Sequence, residues 1–122
     1  MNYSVTLIKP GSGDTTYKIA GEIFLSYWQQ ITGNRINEAT DADTIPHNHL
    51  LIVLGDDTVN AYTERLIQDD IIPGLEVRSE TDDYQLLSAR QNGRDILIIA
   101  GGRGRSTIYA VYDFFQRQAG VR

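Results

Sequence analysis

The sequence predicts a two-layer α/β domain in which one mixed β-sheet of about four to six strands packs against about three helices. Long segments with apolar residues at three- and four-residue spacing fit helices, whereas short apolar runs and alternating stretches fit strands. The Asn92-Gly93 pair lies between two strand-like segments and predicts a hairpin. A hairpin adds an antiparallel strand to a sheet that is otherwise built by crossovers, so the sheet is predicted to be mixed.

The first two elements are a strand and a long helix. Tyr3, Val5 and Leu7 alternate with polar residues, a pattern typical of a strand with one covered face. The following segment, Thr15–Thr32, has one apolar stripe and is predicted to be a helix. The stripe contains Ile19, Ala20, Ile23, Phe24, Tyr27, Trp28 and Ile31. Trp28 is therefore predicted to lie in the core.

The middle of the chain contains the predicted central strand. A short strand is expected around Arg35–Asn37, and the polar stretch Asn37–Asn48 is predicted to be a loop. Leu50–Leu54 is continuously apolar and short, which is typical of a strand that is covered on both faces or nearly so.

A second helix and the hairpin follow the central strand. The helix is predicted near Thr58–Gln68, with Asp56 or Asp57 as its N-cap. The two hairpin strands are predicted at Tyr84–Arg90 and Arg94–Ala100.

The last helix is unusually aromatic. It is predicted to begin near Ser106, the expected N-cap, and to end near Ala119. Its sheet-facing stripe consists of Ile108, Val111, Tyr112, Phe115 and Ala119. Ala110 and Phe114 fall on a second side, and Tyr109 points away from both. Either loops or the first helix cover this second side, or it is a docking surface for another domain.

The glycine-rich turn Gly101–Ser106 leads from a strand into this helix. Backbone amides at a helix N-terminus can bind an anion, so Gly102, Gly104 and Ser106 form a candidate ligand site. The turn lacks the lysine of a P-loop, and Thr107 replaces the third glycine of the dinucleotide-binding fingerprint. The favoured interpretation is a tight packing turn, and a stand-alone binding module is the alternative.

The sequence predicts no catalytic residue, metal site or cofactor. His47 and His49 lack a third ligand and a carboxylate partner. Asp56 and Asp57 follow the central strand, where α/β sheets place ligands, so a small hydrolase that uses either carboxylate is the third interpretation. These aspartates fit helix-cap roles equally well, as the pairs Asp69-Asp70 and Asp82-Asp83 fit solvated turns.

Composition excludes several classes of partner. The chain has 122 residues, 41% of them hydrophobic, and a formal net charge of −5. This acidity argues against nucleic acid as a partner. No apolar run approaches the ~20 residues that cross a bilayer, and the N-terminus lacks the pattern of a signal peptide. Since there are no cysteines, disulfides and thiolate metal sites are excluded.

The tail resembles a family segment. Ile96–Gly102, then Arg105–Phe115, then a closing Gly120-Val121-Arg122, is similar to the end of the N-terminal accessory domain of family 67 α-glucuronidases. Related domains precede the catalytic barrels of family 20 hexosaminidases and family 115 α-glucuronidases. Upstream segments that also resemble the family are Trp28–Gly33, Leu51–Gly55 and Tyr84–Gly93. Ser106 and Ala110 depart from the pattern, because glycines are usual there.

The resemblance implies a non-catalytic role for residues 1–122, as a single accessory domain before a catalytic barrel. The catalytic carboxylates would lie in that barrel, and its substrate would be a carbohydrate polymer. Arg103, Arg105, Tyr109, Ala110 and Phe114 are the residues expected to contact the barrel, with Arg105 and its turn near the rim of its active site. A secreted or periplasmic location follows from the same resemblance.

Overall fold

A computed structural model describes residues 4–11, 15–43, 50–78 and 80–118 of the chain. It has a five-stranded sheet and three helices, which confirms the predicted mixed α/β fold. The strands lie in the order β2-β1-β3-β5-β4. The first four strands in this order are parallel, and β4 runs antiparallel to β5. The elements are β1 (Val5–Lys9), α1 (Thr15–Thr32), β2 (Asn37–Thr40), β3 (Leu50–Leu54), α2 (Ala61–Gln68), β4 (Tyr84–Gln91), β5 (Arg94–Gly101) and α3 (Gly104–Gln118).

The main layer of helices consists of α1 and α3, which pack side by side on one face of the sheet. Phe24 of α1 is fully buried there against Val111 and Phe115 of α3 and against apolar residues of β1, β3 and β5. The opposite face is covered by the short helix α2 and by residues 71–77. Leu51 to Leu54 are therefore buried on both faces, as predicted for a central strand. No helix among the described residues is long and apolar enough to cross a membrane.

The hairpin of β4 and β5 forms as predicted. Asn92 has φ of 53° and Gly93 has φ of 81°, the left-handed pair that a tight two-residue hairpin turn requires. The pairing runs without a bulge from Tyr84 opposite Gly101 to Gln91 opposite Arg94. Each hairpin strand extends one residue further than predicted.

Strands β1 and β2 differ from their predictions. β1 is covered on both faces, because Thr6 and Ile8 are buried together with Val5 and Leu7 of the predicted alternation, whereas Tyr3 lies outside the described residues. The predicted loop contains β2 at Asn37–Thr40, which lies just after the expected short strand. This edge strand pairs with β1 through its backbone, and Lys9 Nζ lies 2.7 Å from Glu38 Oε1. Backbone pairing of this kind leaves no apolar pattern in the sequence.

The start of α2 also differs from its prediction, since the N-cap is Asn60 and not Asp56 or Asp57. Asn60 Oδ1 accepts a hydrogen bond of 2.9 Å from the amide of Tyr62. Asp56 instead forms a turn that precedes the helix, in which its Oδ1 accepts from the amide and the hydroxyl of Thr58. The helix therefore begins three residues later than expected.

Candidate docking surface

The turn between β5 and α3 is packed against the chain's own loop at residues 78–83. The amide of Gly102 donates to the carbonyl oxygen of Asp83 at 2.9 Å, and the carbonyl oxygen of Gly102 accepts from the amide of Glu80. A side chain at Gly102 would collide with the carbonyl oxygens of Arg78 and Thr81. Glycine is required here because another segment of backbone approaches closely.

Ser106 lies inside the first turn of α3 and is not its N-cap. Its buried Oγ accepts a 3.0 Å hydrogen bond from the amide of Arg103, which precedes the helix. The same hydroxyl lies within donating distance of the carbonyl oxygens of Thr81 and Arg103, at 3.2 and 3.0 Å. Thr107 donates its hydroxyl to Arg103 O at 2.9 Å. These bonds fix the helix start without the strained backbone that a left-handed serine would need.

This packing does not support the predicted ligand site at Gly102, Gly104 and Ser106. The amide of Gly102 is paired, the hydroxyl of Ser106 is buried, and carbonyl oxygens cover the turn. An anion placed there would meet those carbonyl oxygens at close range. The interpretation of the turn as a packing device therefore fits the geometry better.

Arg103 and Arg105 hold the loop that covers the turn. Arg105 donates to both carboxylate oxygens of Asp82, at 2.9 and 3.0 Å. Arg103 donates to the carbonyl oxygen of Glu80, and its Nε lies 3.5 Å from Asp82. The hydrogen bond to Asp82 raises the pKa of the Arg105 guanidinium above its ordinary value. Both side chains keep about half of their surface exposed.

The prediction that Ala110 belongs to a docking surface is wrong. Ala110 is completely buried in the core, and Phe114 is half-buried and stacks on Phe24 with ring centroids 5.9 Å apart. Compared with the predicted stripe, the covered side of α3 is centred on Val111. Ala110 therefore points inward and Tyr112 points outward. The first helix covers the second side of α3, which is one of the two arrangements that the sequence left open.

The large exposed apolar side chains of the described residues lie on the α1/α3 side of the sheet. We call this set the helical face, and it consists of Ile19 (39% exposed), Ile31 (43%), Tyr84 (40%), Tyr109 (48%) and Tyr112 (45%). Tyr112 contacts Tyr27 of α1 edge-on, with centroids 5.9 Å apart. Tyr84 on β4 donates its hydroxyl to Asp113 of α3 at 3.1 Å. Burial and then this carboxylate raise the pKa of Tyr84.

Of the predicted docking residues, the structure places Tyr109 on the helical face and Arg103 and Arg105 at its edge, beside the start of α3. Sequence periodicity did not identify Ile19, Ile31 and Tyr84 as exposed, and it placed Tyr112 on the sheet-facing stripe. Periodicity gives the apolar stripe of a helix but not the position of the neighbouring helix. A signal was present on α1: Ile19 falls outside the stripe that Tyr17, Ala20 and Phe24 define, and Ile31 lies at the end of the helix.

Charge is depleted on the helices that carry this face. Together α1 and α3 contain three basic residues and two acidic residues, whereas the remainder of the chain contains eight basic and 14 acidic residues. Depletion of charge and enrichment in tyrosine are the compositional features of an interface core. The helical face is rich in exposed tyrosine, and the exposed charged residues on the same two helices are Lys18, Glu22, Arg105 and Arg117.

The acidic residues of the described region do not form a catalytic arrangement. Asp56 is buried with its Oδ1 bonded to Thr58. Glu76 and Asp83 line one open cleft, where Arg78 Nε lies 3.2 Å from Asp83 Oδ2. The hydrogen bond from Arg78, followed by that of Thr81, lowers the pKa of Asp83, which opposes a role as a proton donor.

The possible metal ligands of the described residues are not clustered. In the part of the chain that the structure describes, no group of three or more His, Asp or Glu side chains could hold a metal ion. His47 and His49 lie outside the described residues.

Trp28 is half-buried and stacks on Phe24 with centroids 5.8 Å apart, consistent with its predicted core position.

Comparison with known proteins adds no family assignment. No model of a known protein family matches the chain. A search of curated proteins gives no match.

Proposed function

We propose that this chain is a non-catalytic accessory domain that packs against a larger domain through its helical face. The observation that carries the proposal is the segregation of the exposed apolar side chains. Those of Ile19, Ile31, Tyr84, Tyr109 and Tyr112 lie on one side of the sheet, on or beside the two helices that are poorest in charge. The exposed residues of the opposite side are mostly polar or charged, as in α2.

The size of the helical face fits part of a domain interface. Each of its residues is between 39% and 48% exposed, and large apolar side chains exposed on one side of a domain are the kind of surface that another domain covers. One side of a standard interface covers about 800 Å², so the five residues supply the apolar centre and neighbouring polar residues supply the rim. The uncharged exposed residues Ser26, Gln30 and Gln116 of α1 and α3 fit such a rim.

The identity of the larger domain rests on the resemblance of the tail. Its similarity to the accessory domain of family 67 α-glucuronidases supports a carbohydrate-active hydrolase as the parent enzyme and a catalytic barrel as the docking partner. In this proposal the barrel provides the catalytic carboxylates and binds the carbohydrate polymer. Arg105 and Arg103 hold the loop at residues 80–83 at the edge of the interface.

The first test is the natural coding sequence around this chain. A catalytic barrel encoded after Arg122 supports the proposal, and a stop codon at that position contradicts it. The second test is the double substitution of Tyr109 and Tyr112 by serine in the natural protein. We expect it to lower the stability of the two-domain protein and to leave the unfolding of the 122-residue chain nearly unchanged.

A matched control is Gln68→Ser, an exposed position on α2 at the opposite side of the sheet. This substitution should leave the stability of the two-domain protein and that of the 122-residue chain unchanged. Equal destabilisation of the isolated chain and of the natural protein by the double substitution would show that the tyrosines act within the domain, which contradicts docking. The alternative, a stand-alone binding module, would require a thermal shift of the isolated chain with an anionic ligand that Gly102→Ala abolishes.

A further inference from the structure

The outer edge of β4 has few of the features that usually prevent a strand from pairing with another chain: its one charged residue is Arg90, and only Gln85 bonds a neighbouring segment, at the amide of Glu76. β4 is the last strand in the sheet, and its eight residues pair with β5 in unbroken register. It contains no proline, no lysine and no bulge. Natural edge strands are usually short, bulged, charged or covered, because their free N–H and C=O groups otherwise recruit a second strand.

The opposite edge of the same sheet shows the protection that β4 lacks. β2 has only four residues, and Glu38 on it pairs with Lys9. It is followed at once by Asp41, whose carboxylate accepts from the amides of Gly11 and Ala61 at 2.9 and 2.8 Å. A second strand would gain few hydrogen bonds there and would meet ionised side chains. The two edges therefore differ in their ability to bind a strand.

The side chains beside β4 form a recess that is apolar next to Phe114 and charged next to the ion pair of Arg90 with Asp95. A cleft of about 260 Å³ is lined by Leu86, Leu87, Ser88, Leu97 and Phe114. An adjoining cleft of about 350 Å³ shares Ser88 and Leu97. Ser88 is exposed, lines both clefts and has a small side chain. The recess can therefore accept an aliphatic side chain opposite Ser88.

We propose that β4 pairs antiparallel with β4 of a second copy of this chain, about a twofold axis through Leu87. In this register Leu86 of the second copy lies opposite Ser88 and covers the recess. Tyr84 lies opposite Arg90, which favours contact between the ring and the guanidinium. Leu87 meets its own symmetry mate. The result is a continuous ten-stranded sheet.

The strand is complementary to itself in charge as well as in shape. Arg90 is its one charged residue, and the Leu87-centred register places it opposite an uncharged tyrosine. Like charges directly opposite each other destabilise a strand pair, and this register has none. The net charge of −5 resides mainly on other elements, so the strand pair itself brings no like charges into contact. A second copy is thus a partner that the strand itself specifies.

The test is sedimentation velocity of the 122-residue chain from about 5 to about 500 μM, a range that brackets weak to moderate association. We expect reversible dimers, and Ser88→Lys should raise the dissociation constant at least about tenfold. Asn37→Lys, an exposed substitution on the protected edge, should leave the dimer unchanged. Tyr109→Ser with Tyr112→Ser should also leave it unchanged, since those residues belong to the docking face. A monomer at every concentration overturns the proposal. A dimer that is disrupted by Tyr109→Ser with Tyr112→Ser but not by Ser88→Lys also overturns it.

The absence of native cysteine permits a direct test of register. A single Leu87→Cys variant should form a disulfide-linked dimer under mild oxidation, because the two positions face each other across the axis. Gln91→Cys lies at the end of the strand and should cross-link far more slowly. Preferential cross-linking at Gln91→Cys, or none at either position, would overturn the Leu87-centred pairing even if Ser88→Lys fails to fold.

Discussion

Asn60→Ala should destabilise the fold far more than an ordinary substitution at a helix start. Asn60 is completely buried, and its Oδ1 caps α2 by accepting from the amide of Tyr62. Its Nδ2 also donates to the carbonyl oxygen of Leu54 at 2.7 Å and to that of Ile8 at 3.3 Å. The side chain therefore joins α2 to the ends of the two central parallel strands.

The magnitude follows from these three bonds. Loss of an N-cap costs about 1 kcal/mol, and each buried carbonyl that loses its donor costs at least about 1 kcal/mol. We expect Asn60→Ala to lower the free energy of unfolding by about 3 kcal/mol, which corresponds to roughly 10 °C in Tm for a chain of this size. Asn37→Ala on the exposed edge strand should change it by less than about 0.5 kcal/mol.

Asn60→Asp separates the cap from the strand contacts. It retains an acceptor for the amide of Tyr62, but it replaces the donor with a carboxylate oxygen that faces two carbonyl oxygens. Urea unfolding at pH 7, followed by circular dichroism, should therefore show a loss at least as large as that of Asn60→Ala. A near-native Asn60→Asp, or a loss below about 1 kcal/mol for Asn60→Ala, would refute the strand-joining role.

Two further predictions concern the loop that covers the start of α3. Gly102→Ala would press a methyl group against the carbonyl oxygens of Arg78 and Thr81, so urea unfolding should show a loss of about 2 kcal/mol or more. Gly74 has open space around it, so Gly74→Ala should change the free energy of unfolding by less than about 0.5 kcal/mol. Equal losses at Gly74 and Gly102 would contradict the close packing at Gly102. The hydrogen bond from Arg78 holds the pKa of Asp83 below its ordinary value, so the ionised carboxylate stabilises the fold above that ordinary value and the contribution is lost as pH falls through the folded pKa. The stability difference between the native chain and Asp83→Asn should therefore be constant near neutral pH and shrink in acid, and a difference that does not change with pH would exclude the ion pair with Arg78 as its source.

The sequence predicted the elements whose side chains form the core. The boundaries of α1 and β3 are those that apolar periodicity predicted, and the hairpin follows from the conformational needs of Asn92-Gly93. These features depend on local pattern. A strand such as β2 depends on backbone pairing with β1, and its polar residues leave no trace of that pairing in the sequence.

The docking surface was predicted less well because it depends on tertiary contacts. The aromatic excess of α3 correctly indicated more than one apolar side, but Phe24 of α1 covers Ala110 and Phe114. Tyr109 and Tyr112 stay nearly half exposed, although Tyr112 contacts Tyr27 of α1 edge-on. Similarly, Arg103 and Arg105 looked available for a partner, yet Glu80 and Asp82 of a distant loop bind them. Neither contact can be inferred from spacing within one helix.

Hydroxyl-radical footprinting can test directly whether another domain of the natural protein covers the helical face. The side chains of Tyr109 and Tyr112 should be oxidised readily in the 122-residue chain, where each is nearly half exposed. In the natural protein we expect both tyrosines to be strongly protected from oxidation, with no change at exposed positions of α2. Equal oxidation of Tyr109 and Tyr112 in the two proteins would contradict the account.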